Sequence, residues 1–187
     1  MRKIIGGALA CALAAGCQTA ATTTEAEPEV AAPPAGSPAA AATAFYTAVM
    51  SLPVGGVPDA AGQERLQPLV TSDLAAKLAA ARAAEEAHTA ATGNEEPPML
   101  QGDIFGSLFE GRTAFIVAGC EESGNGVHCE VPQSFSDQSG DSDWTDTVVL
   151  VQEDGAWKVA DVIYGGDWDF ANRGRLTETL DAVAAAD

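Results

Sequence analysis

Residues 144–170, WTDTVVLVQEDGAWKVADVIYGGDWDF, constrain this chain more than any other stretch. Two alternating runs flank Asp154-Gly155, a dipeptide that supplies the positive φ angles of a tight hairpin turn. The stretch also holds all three tryptophans, Trp144, Trp157 and Trp168. Pairing Glu153 with Ala156 places Leu150 opposite Val159, Val148 opposite Asp161 and Asp146 opposite Ile163. Side chains alternate across a strand. One face then carries Trp144, Asp146, Val148, Leu150, Trp157, Val159, Asp161 and Ile163. Its bulk marks it as the core face, yet it bears two carboxylates, and an unpaired buried charge is costly. In this register Asp146 and Asp161 are diagonal neighbours, about 7–8 Å apart. Burial and like-charge repulsion would raise a carboxyl pKa there, leaving a group able to donate a proton near neutrality. Two alternatives stay open: a bulge that rotates Asp161 outward, or local backbone amides that occupy each aspartate.

The 187 residues suffice for one domain with appendages. Removing Arg2 and Lys3 with a leader would leave 7 of the 9 basic residues against 27 acidic ones, a net charge of −20. So acidic a surface repels nucleic acid and anionic headgroups. It is a solvated coat that favours solubility, or a surface for cationic ligands.

Residues 1–17 have the form of a secretory signal, with Arg2 and Lys3 ahead of an apolar run too short to span a bilayer. The run ends in Leu13-Ala14-Ala15-Gly16-Cys17, which resembles the lipobox of bacterial lipoproteins. That resemblance implies removal of residues 1–16 and diacylation of Cys17, giving a periplasmic protein with a lipid anchor. Gln18, rather than aspartate, favours the outer membrane. Ordinary cleavage to a soluble periplasmic protein is the alternative. Residues 17–38 are Thr, Ala, Glu and Pro with few bulky apolar side chains, and read as a disordered tether.

The domain is expected over residues 39–187. Ser37-Pro38 signals a helix start, with Phe45, Val49 and Leu52 as its apolar stripe and Pro53 as its stop. Leu66, Leu69 and Val70 suggest a short second helix around Pro68. Thr71 or Ser72 caps a longer helix that runs to Thr92 and ends at Gly93. Leu74, Leu78 and Ala81 are its core positions. Glu85 and His88 continue that side, and His88 reads as a partly exposed residue or a catalytic one.

Residues 93–115, GNEEPPMLQGDIFGSLFEGRTAF, come next. Gly102-Asp103 predicts a turn, with Asp103 capping residues 104–109. Glu110 and Arg112 are candidate functional residues, or a local ion pair at the start of a strand over 113–120. With Gly124-Asn125 as a turn, Cys120 falls opposite Cys129 in a non-hydrogen-bonded pair. A disulfide fits an oxidising compartment. A metal site would need further ligands, and His128 points to the other face. Pro132 predicts an edge or a bulge, and residues 134–143 a polar loop. Asp137, Asp141 and Asp143 there lack the spacing of a helix-loop-helix calcium site. Leu176, Leu180, Val183 and Ala184 give a final amphipathic helix.

Helices followed by an antiparallel meander define an α+β fold. The long helix, the paired long strands and the WKVADVIY strand resemble the nuclear transport factor 2-like superfamily. PPMLQGDIFGSLFEG, WTD and VIYGGDWDF are similar to a bacterial lipoprotein branch of it without an assigned function. The resemblance implies N-terminal helices on a curved antiparallel sheet forming a cone, here with an added C-terminal helix. That superfamily includes isomerases, hydrolases and binding modules, so fold does not decide function. No P-loop, dinucleotide fingerprint, nucleophile elbow or zinc-ligand spacing is present. The expectation is a non-enzymatic domain without cofactor or metal that binds a small molecule or envelope protein. Its pocket candidates are Trp144, Asp146, Trp157, Asp161, Glu110 and Arg112. An isomerase or hydrolase using cone carboxylates, and a structural envelope spacer, are the alternatives.

Overall fold

The computed structural model describes residues 32–93, 95–138 and 140–186. The expected signal sequence, Cys17 and most of the tether lie outside the described residues.

Ser37 and Pro38 start a helix as their chemistry dictates. The Ser37 hydroxyl accepts from the Ala40 amide at 3.1 Å, and α1 runs Pro38–Met50. Phe45, Tyr46 and Val49 are buried on its inner side. The short helix falls earlier than expected. Asp59 caps α2, Ala60–Leu66, by accepting from the Gly62 amide at 2.8 Å. Alanine and glycine give that turn no apolar periodicity to read. Leu69 and Val70 instead lead into an extended step alongside the sheet: Val159 N donates to Leu69 O and Thr71 N to Val159 O, both at 2.9 Å. Thr71 caps α3, Ser72–Thr92, which ends at Gly93 with φ 62°.

The five strands are antiparallel: β1 Ala114–Phe115, β2 Gly119–Ser123, β3 Gly126–Asp137, β4 Gly140–Glu153 and β5 Ala156–Ile163. Their order is β1-β3-β4-β5, with β2 also pairing β3. The single strand expected over 113–120 is therefore broken in two. Pro132 explains the break. Its carbonyl accepts from Ile116 N at 3.0 Å, but it has no N–H to return. Pro132 thus sits in an interior strand, not at an edge, and interrupts its neighbour. Residues 134–143 are not a loop. The β3–β4 ladder continues through Ser134–Asp143, Phe135–Ser142 and Ser136–Asp141 to Asp137–Gly140. Backbone pairing needs no apolar side chains, so a polar ribbon can extend beyond the core. Asp137, Asp141 and Asp143 lie along that ribbon.

Cys120 and Cys129 pair across β2 and β3 and form a disulfide. The central hairpin keeps its expected register only from the turn to Leu150–Val159. A bulge then intervenes: Val149 faces Asp161, Val148 faces Val162 and Thr147 faces Ile163. Ala160 is the extra residue. A one-residue slip exchanges the faces of everything beyond it. Val162 therefore joins Val148, Leu150 and Val159 inside, and Asp161 leaves that face.

The core lies between this face and α1 and α3, with Phe45, Leu74, Leu78, Val131, Val148, Leu150 and Val159 all fully buried or nearly so. Burying each such side chain is worth roughly 1.5–3 kcal/mol. The final helix, α4 Leu176–Ala184, buries Leu176, Leu180 and Val183. Lys77 of α3 reaches Asp181 of α4 at 2.6 Å. No helix among the described residues is long and apolar enough to cross a membrane.

Candidate functional site

Segment 97–112 has no helix or strand, so its backbone groups must find partners elsewhere. Glu85, buried near the end of α3, accepts from Met99 N at 3.1 Å and Leu100 N at 2.6 Å. Gly56 N donates to Gly102 O at 2.7 Å, and Asp103 N to Phe109 O at 2.8 Å. From the far side, Tyr164 Oη donates to Ile104 O at 2.7 Å. Asn172 Nδ2 bridges Asp103 O at 2.9 Å and Gly106 O at 2.7 Å. The segment is thus sewn to α3, to the end of β5 and to the loop after it.

Beneath it sits Asp146, with 0% of its surface exposed. Its carboxylate accepts from Ser107 N at 3.0 Å, Ser107 Oγ, Gln133 Nε2 at 2.7 Å, Trp144 Nε1 at 3.0 Å and Gly165 N at 2.9 Å. Five donors on two oxygens leave no lone pair to act as a base. Hydrogen bonds of this kind hold a buried charge in place. Ser107 Oγ also accepts from Gly166 N at 2.9 Å.

Arg112 enters the same interior. It pairs with Asp103 at 2.5 Å, and its guanidinium lies 4.8 Å from the Tyr46 ring centroid. Burial pushes the Asp103 carboxyl pKa upward, and the Arg112 charge opposes that rise. Burial raises the Tyr46 and Tyr164 phenols as well. A Cβ on Gly106 would come within 2.5 Å of Arg112 Nη2, so a larger residue there has to displace the guanidinium that pairs with Asp103. Tyr46 Oη, Arg112 Nε and Nη1, and Gln133 Oε1 are buried without a hydrogen-bond partner among the described residues.

The expected site residues separate. Trp144 and Asp146 share one face, and the Trp144 ring meets Trp168 edge-on at 6.1 Å. Arg112 joins them inside, but through Asp103 and Tyr46. Glu110, its expected ion-pair partner, stands exposed in a surface groove. Trp157 pairs with Gln152 near the turn and packs partly buried on the core, away from this hub. Asp161 is held elsewhere. It accepts from Thr177 N at 3.1 Å, Thr177 Oγ1 at 3.0 Å, Arg175 Nη1 at 3.1 Å and its neighbour Val162 N at 2.9 Å. The first turn of α4 has no side-chain cap of its own, so Asp161 supplies one from the strand. The coupled Asp146–Asp161 pair is thereby corrected: the bulge puts the two on opposite faces. His88 is partly exposed, with Nε2 3.1 Å from Pro97 O.

Two open grooves flank segment 97–112. The larger, about 770 Å³, lies between the C-terminal half of α3 and residues 98–102. Arg82, Glu85, Glu86 and Thr89 give it polar walls, and Val57, Leu100 and Phe109 apolar ones. Arg82 and Glu86 are paired at 2.6 Å. The second, about 580 Å³, is lined by Leu108, Phe109, Glu110, Ser142, Trp168 and Phe170. Among the described residues no group of three or more His, Cys, Asp or Glu is placed to hold a metal.

Sequence reasoning passed over Tyr46, Ser107, Gln133, Tyr164 and Asn172. Each is an ordinary residue for its element, and only the meeting of distant segments makes it part of the hub. A usable signal existed in the dense polar and glycine content of GDIFGSLFEGR and YGG. Compared with protein-family models, with curated proteins and with solved structures, the chain gives no match.

Proposed function

We propose that this chain is a lipid-anchored periplasmic domain, held at the outer membrane through Cys17, that binds a small molecule or envelope partner without turning it over. We read its helices and antiparallel sheet as a nuclear transport factor 2-like cone whose interior is closed by segment 97–112. The observation that carries the binding role is the groove of about 770 Å³ between α3 and that segment. Its size is in the range of small-molecule sites, and it combines apolar walls with a few fixed polar groups. Glu85 supports this reading because it fixes the groove wall through two backbone amides. The isomerase or hydrolase alternative is less well supported, since Asp146 is fully engaged and Asp161 caps a helix on another face.

Ala90 is exposed in the groove wall, so Ala90→Trp fills the groove without touching the core. Native mass spectrometry of the envelope-extracted chain should show a co-purified small molecule that this variant loses. A variant that retains the ligand moves the site elsewhere. A wild type with no ligand and no thermal shift across a metabolite library favours the spacer. Intact mass should show a diacylglyceryl group on Cys17; a processed, unmodified and soluble chain sinks the anchor.

A further inference from the structure

The second groove is built differently from the first. Phe170 is 90% exposed and Phe109 51% exposed, and Trp168 completes an aromatic face beside them. A single exposed apolar residue needs no explanation, but a cluster around one groove does. The Phe170 loop is also held in place. Arg173 donates to Gly166 O at 2.8 Å and to Trp168 O at 2.6 Å, and Asn172 N donates to Ser107 O at 2.9 Å. Phe109 is fixed by the bond from Asp103 N to its carbonyl. Outward-facing aromatics on a backbone held in this way are the usual anchors of a protein interface, because docking then costs little backbone ordering.

The charge around the aromatics selects the partner. Glu110 stands in the groove wall, exposed Asp167 and Asp169 flank Trp168, and exposed Asp141 and Asp143 flank Ser142. None of these five carboxylates is in a salt bridge among the described residues. The nearby Arg173 is committed to backbone carbonyls. Such a fringe repels an anionic lipid surface and attracts lysine and arginine. It extends onto the β3–β4 ribbon, which suits an elongated partner with several charges better than one small cation.

We propose that the Phe109–Trp168–Phe170 groove docks a basic, extended segment of a partner protein. An apolar side chain of that segment sits among the aromatics, and its lysines or arginines meet Glu110, Asp167 and Asp169. This face is distinct from the α3 groove, although Phe109 touches both, and it stands whether or not that groove holds a ligand.

The test uses the full chain in detergent and a labelled peptide with a leucine-phenylalanine pair flanked by arginines. Fluorescence anisotropy should show saturable binding that weakens as salt is raised. Phe170→Ser should weaken it about tenfold. The double variant Glu110→Gln, Asp169→Asn should weaken it and flatten its salt dependence. Ala90→Trp should leave it unchanged, which separates this face from the α3 groove. Absence of saturable binding overturns the proposal, as does equal binding by Phe170→Ser or by the peptide with glutamates for arginines. Phe170-dependent sedimentation with phosphatidylglycerol vesicles also overturns it, in favour of a membrane face.

Discussion

Ser107 donates both its backbone amide and its hydroxyl to the carboxylate of Asp146, 39 positions further along the chain. This contact ties an irregular segment to the central strand and adds to the apolar packing of Ile104 and Phe105 in the core. Removing the carboxylate by Asp146→Ala leaves donors from Ser107, Gln133 and Trp144 buried and unpaired, and takes the acceptor from the more exposed Gly165 amide. We expect a loss of about 3–5 kcal/mol, read as a lowered urea midpoint. Asp146→Asn should cost less, because it keeps the shape and one acceptor. A midpoint unchanged in Asp146→Ala would show that the hub does not hold the fold.

Asp161 acts on a different element. Its bonds to Thr177 and Arg175 replace a cap that the start of α4 lacks. Asp161→Ala should destabilise the protein by about 1–2 kcal/mol, the value of a lost cap. Amide exchange should accelerate first over Leu176–Ala184, where the helix frays, and much less in β4. Uniform acceleration across the sheet would instead mean that Asp161 supports the hairpin.

What could be read from the sequence was local. Ser37, Thr71 and Gly93 mark helix ends through bonds within a turn of themselves, and all three act as expected. The Asp154-Gly155 turn and the Cys120–Cys129 pairing follow from counting outward from two-residue turns. Strict alternation puts Asp161 on the core face because nothing in a two-residue period announces a bulge, and Ala160 is too small to object to either face. Proximity in sequence offers Glu110 as one possible ion-pair partner for Arg112, whereas the chain reversal between Gly102 and Phe109 brings it to Asp103. The polar end of the β3–β4 ribbon looked like a loop because hydropathy reports burial, not backbone pairing.

The Cys120–Cys129 disulfide joins residues nine apart in sequence across adjacent strands. Closing so short a loop restricts the unfolded chain modestly, by about 2–3 kcal/mol on the chain-entropy model. Reduction should lower the unfolding free energy by that amount, read as a lower denaturation midpoint, and leave the hub intact, since none of its bonds involves β2. Peptide mapping without reductant should recover the linked pair. Two free thiols in protein made under oxidising conditions would contradict the bond.

Glu153 gives the fold an acid-sensitive tie. Its carboxylate accepts from Lys158 Nζ at 3.0 Å, and from Ser72 Oγ and Ser72 N at 3.1 Å at the start of α3. The Lys158 bond is the largest influence and, together with the bonds from Ser72, holds its pKa below the ordinary value of 4.5 despite the upward push of burial. A folded pKa below the unfolded one means that the stabilisation is complete above 4.5 and is lost as pH falls through the folded value. Asp103 works in the opposite sense. Its raised pKa means that the folded state takes up a proton first, so its contribution grows as pH falls toward 3.8. A stability profile of the wild type alone would mix the two. The difference between wild type and Glu153→Gln isolates the tie. That difference should be constant from neutral pH down to 4.5, then shrink toward zero on further acidification. Urea unfolding at a series of pH values measures it, and a difference that stays constant throughout would remove Glu153 from the account of acid stability.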